Sequence, residues 1–231
     1  MTEPGTDRSD VDRLQKARDA MYRDHILDVA EEVFAELGYD GAQVKRVAAR
    51  AQISLSTLYG HFGTKMALYS AIHARRLDAL MERLQSVGRD SAGPLRWMLA
   101  GIEGYIGFHM EHPTYLRMHL REGNAWSEVE GLYSDAQRET WRRGLERMAA
   151  TFEIGIEGGV FVRDDAMVAA RTTNAMHQVA LSKWVEDGMV ESQSTLIARL
   201  HRQYIRAFGV PERIVELLRS MAEARHEHGI E

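Results

Sequence analysis

The chain has no cysteine, which excludes disulfides and thiolate chemistry. Only four prolines occur in 231 residues, so little interrupts helix formation. No apolar run approaches the roughly 20 residues needed to span a bilayer, and no alternating strand pattern of useful length is present. The opening MTEPGTDRSD lacks the hydrophobic centre of a signal peptide. These absences, with 45% apolar and 27% charged residues, predict a soluble all-α protein of the cytoplasm with no membrane partner. One further absence is local. From Gly41 to Leu77 there is no Asp or Glu, whereas Lys45, Arg46, Arg50, Lys65, Arg75 and Arg76 are basic. Taking those six from the 29 Lys and Arg leaves 23 against 34 acids, a net charge of −11 for the rest. The positive field is thus concentrated where a polyanion would dock, unless this is a solvated basic face.

The same window carries a pattern. In VKRVAARAQISLSTLYGHFGTK, Val44, Val47, Ala48 and Ala51 form an apolar stripe on a helical period. Gln52 and Ile53 make a turn, and Ser54 can cap a second helix that carries Leu55, Leu58 and Phe62 inward. Ser56, Thr57, Tyr59 and His61 are left on the other side. Gly63 ends that helix and Thr64 can cap the next. Two short helices with a tight turn make a helix-turn-helix, whose second helix can enter a major groove.

The run from Arg23 to Leu68, with ILDVAEEVFAELGYDG, VKRVAARAQIS and STLYGHFGTK, resembles the N-terminal domain of the TetR-like transcriptional regulators. The resemblance implies a three-helix DNA-binding domain, followed by a larger helical domain that binds an inducer and dimerises. It places Ser54, Leu55, Ser56 and Thr57 toward bases or phosphates, and Tyr59, His61 and Lys65 on the DNA backbone. Lys45 joins this candidate set. For Ser54, capping is the alternative role. Ala42 and Gln43 replace a hydroxyl pair common in the family: either Gln43 supplies the contact, or Asp40 caps the helix with Gln43 closing a capping box.

In chain order, residues 1–20 are expected to form a flexible arm, 21–76 the DNA-binding domain and 77–231 the ligand-binding and dimerisation domain. In the arm, Arg8, Arg13, Lys16 and Arg18 alternate with acids, and either reach a minor groove or stay solvated. A first core helix is predicted at Tyr22–Leu37, ended by Gly38, and a linking helix at Thr64–Val87. Further helices are predicted at Leu95–His112, Thr114–Glu122, Ser127–Glu157, Asp165–Asp187 and Gln193–Phe208, with a last amphipathic piece from Pro211 to His226.

By resemblance the last two long helices pair with those of a second copy as a four-helix bundle. The faces assigned to that homodimer are Ala169, Thr173, Met176 and Ala180 on one helix and Leu196, Leu200 and Tyr204 on the other. The candidate effector set is Trp97, Tyr105, His109, Met118, Trp126 and Trp141, joined by Asn174, His177 and Gln178. Aromatic and Met residues also build cores, and buried amides find partners within a bundle as well as on a ligand.

Enzyme chemistry fits poorly. His109 and His112 have metal-ligand spacing, but no Cys or carboxylate set completes a site. Gly63-Thr64-Lys65 lacks the glycine-rich turn of a phosphate loop. No cofactor or metal is expected. The expectation is therefore a repressor that binds double-stranded DNA as a homodimer and answers to a small-molecule effector. The rival is a helical small-molecule-binding protein or enzyme in which the helix-turn-helix is incidental.

Overall fold

A computed structural model describes residues 8–86, 93–121 and 134–227. Among these the elements run α1 (Arg8–Gly41), α2 (Val44–Arg50), α3 (Leu55–Phe62), α4 (Lys65–Ser86), α5 (Pro94–Glu111), α6 (Pro113–Leu120), α7 (Asp135–Glu157), α8 (Ala166–Glu186), α9 (Gln193–Phe208), a 3-10 turn at Pro211–Arg213, and α10 (Ile214–Glu227). Among the described residues there is no β-strand; an isolated antiparallel bridge joins Phe161 and Gly209. The chain divides into two compact units. One takes described residues 8–75 and 117–121, the other 76–86, 93–116 and 134–227. The division is therefore not the single cut expected near residue 76, because the end of α6 groups with the first unit.

In the first unit α1 is longer than expected. Residues 8–20, read as a flexible arm, are helical and run directly into the core helix. Arg13 pairs with Asp10 at 2.8 Å and Gln15 donates to Asp19 at 3.1 Å, so the interleaved charges support helical spacing. Residues 1–7 lie outside the described part. Gly38 breaks the helix with φ 72° and ψ 172°, a conformation that favours glycine, and one more turn follows. Phe34, Tyr39 and Tyr69 cluster at this bend, with Tyr69 edge-on to Phe34 at 4.8 Å and to Tyr39 at 4.9 Å.

The core of this unit is Ile26, Ala30, Val33 and Phe34 of α1, Val44, Val47 and Ala48 of α2, Leu58 and Phe62 of α3, and Leu68, Tyr69 and Ile72 of α4. Each large side chain buried here stabilises the fold by about 1.5–3 kcal/mol. Ala51 closes α2, Gln52 takes a left-handed φ of 56°, and the chain turns into α3. Ser54 then caps α3, its hydroxyl accepting from the Thr57 N–H at 3.0 Å. Thr64 does the same for α4, accepting from the Ala67 N–H at 3.0 Å.

In the second unit α7 begins at Asp135; the expected start at Ser127 lies outside the described residues. Ser134 and Gln137 form a capping box, the Ser134 hydroxyl accepting from the Gln137 N–H at 3.3 Å and its own N–H donating to the Gln137 side chain at 2.6 Å. The Ser-x-x-Gln spacing that forms it is a helix-start signal in the sequence itself. Asp165 and Ser192 cap α8 and α9. Gly155 lets the Phe161 ring approach to 2.1 Å from where a β-carbon would stand.

Burial of histidine makes stability pH-dependent. Burial holds the native pKa of His73 at about 3, and those of His109 and His177 at about 4 and about 3, below the ordinary 6.5. The native state keeps these rings neutral while the unfolded chain takes up protons below pH 6.5. Their contribution is complete above pH 6.5 and falls as pH drops, by about 1.4 kcal/mol per unit per ring. Denaturant unfolding at pH 5.5 should therefore show a loss of about 1.4 kcal/mol per buried histidine relative to pH 7.5. A pH-independent midpoint would contradict this. Ser54→Ala should lower unfolding stability by about 1 kcal/mol through loss of the α3 cap.

Candidate nucleic-acid interface and effector cavity

Leu58 and Phe62 are buried, which turns the opposite side of α3 outward. Ser54, Ser56, Thr57 and Tyr59 are exposed there, and Tyr59 is 43% accessible. Leu55, expected to point inward by its spacing, is also 43% exposed. It opens the helix, and a first turn projects beyond the packed part of so short an element. The Ser54 hydroxyl lies 2.8 Å from that of Ser56 and 2.7 Å from that of Thr57. Three hydroxyls are thereby held as one group at the N-terminus of α3, where N–H groups and the helix dipole favour anions. Ser54 is a cap in this structure.

Two cations bracket α3. Arg23 of α1 stacks over the Phe62 ring at 4.4 Å and donates to the His61 carbonyl at 3.3 Å. Lys65 stands over the Tyr39 ring at 4.5 Å and donates to the Asp40 carbonyl at 3.4 Å. Its ammonium has three donors, so this placement orients it and leaves capacity for a phosphate. His61 is half-buried. Gln43 is itself the N-cap position of α2, exposed and without a side-chain capping bond, so the alternative in which Asp40 caps that helix is excluded. Lys45 is exposed one turn along. Arg23 was missed in the sequence, and no local signal marks it.

The acid-free window is less positive than its sequence suggests. Arg50 pairs with Glu36 at 2.8 Å and with Glu32 at 3.4 Å, and Arg46 lies 3.9 Å from Glu36. The Arg50 hydrogen bond holds the Glu36 carboxyl below its ordinary range. Arg75 reaches Asp28 at 2.8 Å, Glu31 at 3.6 Å and Asp24 at 4.0 Å. All these acids lie on α1, outside the window, so three of its six cations are neutralised by another helix. The outward cations of this unit near α3 are therefore Lys45, Lys65 and Arg23.

In the second unit the assigned dimerisation faces are corrected. Ala169, Thr173 and Ala180 of α8, and Leu196, Leu200 and Tyr204 of α9, are buried inside this single chain, and Met176 is half-buried. Their small side chains serve intramolecular packing, with α8 lying mainly on α7. What α8 exposes instead is Val168, Thr172, Ala175 and Val179, at helical spacing, with Val179 71% accessible.

A cavity of about 190 Å³ in the same unit is lined by Leu84, Trp97, Met98, Gly101, Ile102, Tyr105, Gly144, Arg147, Met148, Thr151, Thr173 and His177. Of the predicted effector residues, Trp97, Tyr105 and His177 reach it. His109 stands behind, 4.4 Å from the Tyr105 ring, its Nδ1 3.0 Å from the Tyr105 carbonyl. Trp141, Asn174 and Gln178 do not line it. Met118 belongs to the first unit, beside Phe34 and Tyr69, and Trp126 lies outside the described residues. Thr173, expected on the dimerisation face, lines the cavity, and the α7 residues Gly144, Arg147, Met148 and Thr151 carried no sequence signal. No group of three or more His, Asp or Glu side chains suited to a metal occurs among the described residues.

Residues 26–72 match the family model described as bacterial regulatory proteins, tetR family. The chain is 33% identical over 92 residues to the transcriptional activator FasR of Mycolicibacterium smegmatis, covering 40% of this chain and 42% of that one. It is 28% identical over 148 residues to the A-factor receptor protein of Streptomyces griseus, covering 63% and 49%. It thus spans less than half the length of these two curated relatives. Its fold is similar to that of AibR in a complex with isovaleryl coenzyme A and operator DNA, with TM-score 0.68, 18% identity, and coverage of 79% of this chain and 97% of that one. The TetR-like family pattern thus lies across the helix-turn-helix at residues 26–72, and the fold over most of the chain is similar to that of AibR.

Proposed function

We infer that the chain is a ligand-responsive transcriptional repressor that binds a palindromic operator as a homodimer. The observation that carries this reading is the outward face of α3. An eight-residue helix turns two core residues inward and presents three linked hydroxyls and a tyrosine outward, between two cations held by aromatic rings. Such a helix suits a major groove: short polar side chains read base edges, while Tyr59, Lys65 and the α2 side chains Gln43 and Lys45 hold phosphates. Two copies would place two such helices at half-sites about 34–36 Å apart. The exposed α8 stripe of Val168, Thr172, Ala175 and Val179 is the surface we assign to the dimer contact.

The cavity is assigned to the effector. One helix, α4, begins at Lys65 and carries Leu84 of the cavity lining. A ligand that binds one helix arrangement better than another would shift the dimer between operator-binding and released states, and only that difference in affinity does so. AibR, crystallised with both a ligand and operator DNA, supports the pairing of the two sites in one fold. Occupying an operator obstructs transcription, and the work is done in the cytoplasm, where the DNA is.

Selection of bound genomic fragments should yield a short near-palindrome, with affinity falling steeply as salt rises. Lys65→Ala should weaken binding to every sequence and flatten the logarithmic salt slope by about one, whereas Tyr59→Phe should weaken it with the slope unchanged. Ser56→Ala should alter sequence preference. Unselective weak binding by the wild type would favour the rival in which the helix-turn-helix is incidental. Val179→Glu should halve the mass seen by light scattering and abolish the preference for palindromes. A dimer of unchanged mass would reassign the contact.

A further inference from the structure

Two residues that line the cavity in the second unit carry buried polar atoms that the protein leaves without partners, and their chemistry narrows what enters. Thr173 is fully buried and His177 is 1% accessible, yet the Thr173 hydroxyl and the His177 Nδ1 make no hydrogen bond within the chain. Both residues line the cavity. They stand at i and i+4 on α8, so one ligand atom can face both. Buried polar atoms are rarely left unpaired, and each one calls for an explanation.

The hydrogen-bond pattern fixes which atom does what. The Tyr204 hydroxyl donates its one proton to the Thr173 carbonyl at 2.8 Å. At the 3.1 Å contact with His177 Nε2 it must therefore accept, which puts the imidazole proton on Nε2. Nδ1 is then left with a lone pair and no hydrogen. Burial keeps the ring neutral, with its pKa lowered to about 3, so protonation does not turn Nδ1 into a donor near neutral pH. The ring is also held flat against Tyr105, at 4.6 Å and 17°, which prevents it from swinging away. Thr173, by contrast, both donates and accepts. The Thr151 hydroxyl is occupied, donating to the Arg147 carbonyl at 3.0 Å.

Leu84, Met98, Ile102 and Met148 supply apolar surface, beside the rings of Trp97 and Tyr105. No carboxylate is among the lining residues, and the cation, Arg147, is exposed. A cationic ligand therefore has no counter-charge here. An apolar cavity of roughly 150 Å³ takes a benzene ring, so about 190 Å³ holds one ring or an equivalent aliphatic body with a short substituent.

The geometry points to an uncharged, hydroxyl-bearing apolar effector, a phenol or alcohol, whose O–H donates to His177 Nδ1 and accepts from the Thr173 hydroxyl. A carboxylate cannot donate to Nδ1, and an ether can only accept from Thr173. This assignment rests on the regulator reading above in taking the cavity as the effector site.

The test is isothermal titration of the full chain with 4-propylphenol, its methyl ether 4-propylanisole, and 4-propylbenzoate. The phenol should bind at least tenfold more tightly than the ether, because only the phenol satisfies a buried acceptor. The benzoate should be weaker than the phenol. In His177→Phe and Thr173→Val the gap between phenol and ether should shrink severalfold, with ether binding retained. Equal binding of phenol and ether to the wild type overturns the proposal, as does a preference for the benzoate or a lack of binding by all three. None of those results touches the regulator reading, which stands or falls on operator selection by the unliganded protein.

Discussion

Burial of Leu58 and Phe62 is the constraint on which the outward face of α3 depends. An eight-residue helix is not stable alone in water, so α3 exists because these two side chains are buried in the core of the first unit. Their burial also decides which way the helix faces. Once both point inward, Ser56, Thr57 and Tyr59 have no choice but to face out. The Ser54 cap and the left-handed Gln52 set where α3 begins, and the bracketing cations set how its end is held. Gln52 takes this φ without the freedom of a glycine, so the turn stores strain of roughly 1–2 kcal/mol, offset by the packing on either side.

Charge in this unit shows why a linear window misleads. The stretch from Gly41 to Leu77 has no acid, but α1 runs alongside it and supplies Asp24, Asp28, Glu31, Glu32 and Glu36. Arg46, Arg50 and Arg75 are thereby used to fasten α1 to α2 and α4. These pairs are mostly exposed, and each contributes little to stability. Their larger effect is on the field, because they cancel positive charge away from α3 and leave it concentrated at Lys45, Lys65 and Arg23. A basic surface smaller than the sequence implied favours contact at one defined face over diffuse attraction to any DNA.

The second unit is organised around a buried polar chain, from Thr173 through Tyr204 to His177 and the stacked Tyr105. Polar groups in a helical core specify alignment when satisfied, and leave a recognisable gap when not. Here the chain is satisfied at the Tyr204 hydroxyl and leaves the Thr173 hydroxyl and the His177 Nδ1 without a partner. The same helix, α8, therefore offers a core face, a cavity face and an exposed apolar stripe. A three-way division of this kind is not readable from a 3.6-residue period.

The helical class, most helix positions and the facing of α2 and of the Leu58–Phe62 side of α3 were legible in the amino-acid order. They depend on local periodicity, caps and glycine stops, which act within a few residues of themselves. Local signals failed in three kinds of place. At the N-terminus, polarity suggested a loose arm where i, i+3 and i, i+4 pairs support a helix. At Leu55, a helix end escaped the burial its spacing implied. In α8 and α9, small and aromatic residues fit a partner chain and their own core equally well, and they lie in the core. What the order of residues settled by itself is the helical repertoire and the presence of a helix-turn-helix. The tertiary structure alone decided which cations stay outward, which face of α8 is covered and which buried atoms still lack a partner, because each of these depends on side chains brought together from distant parts of the chain.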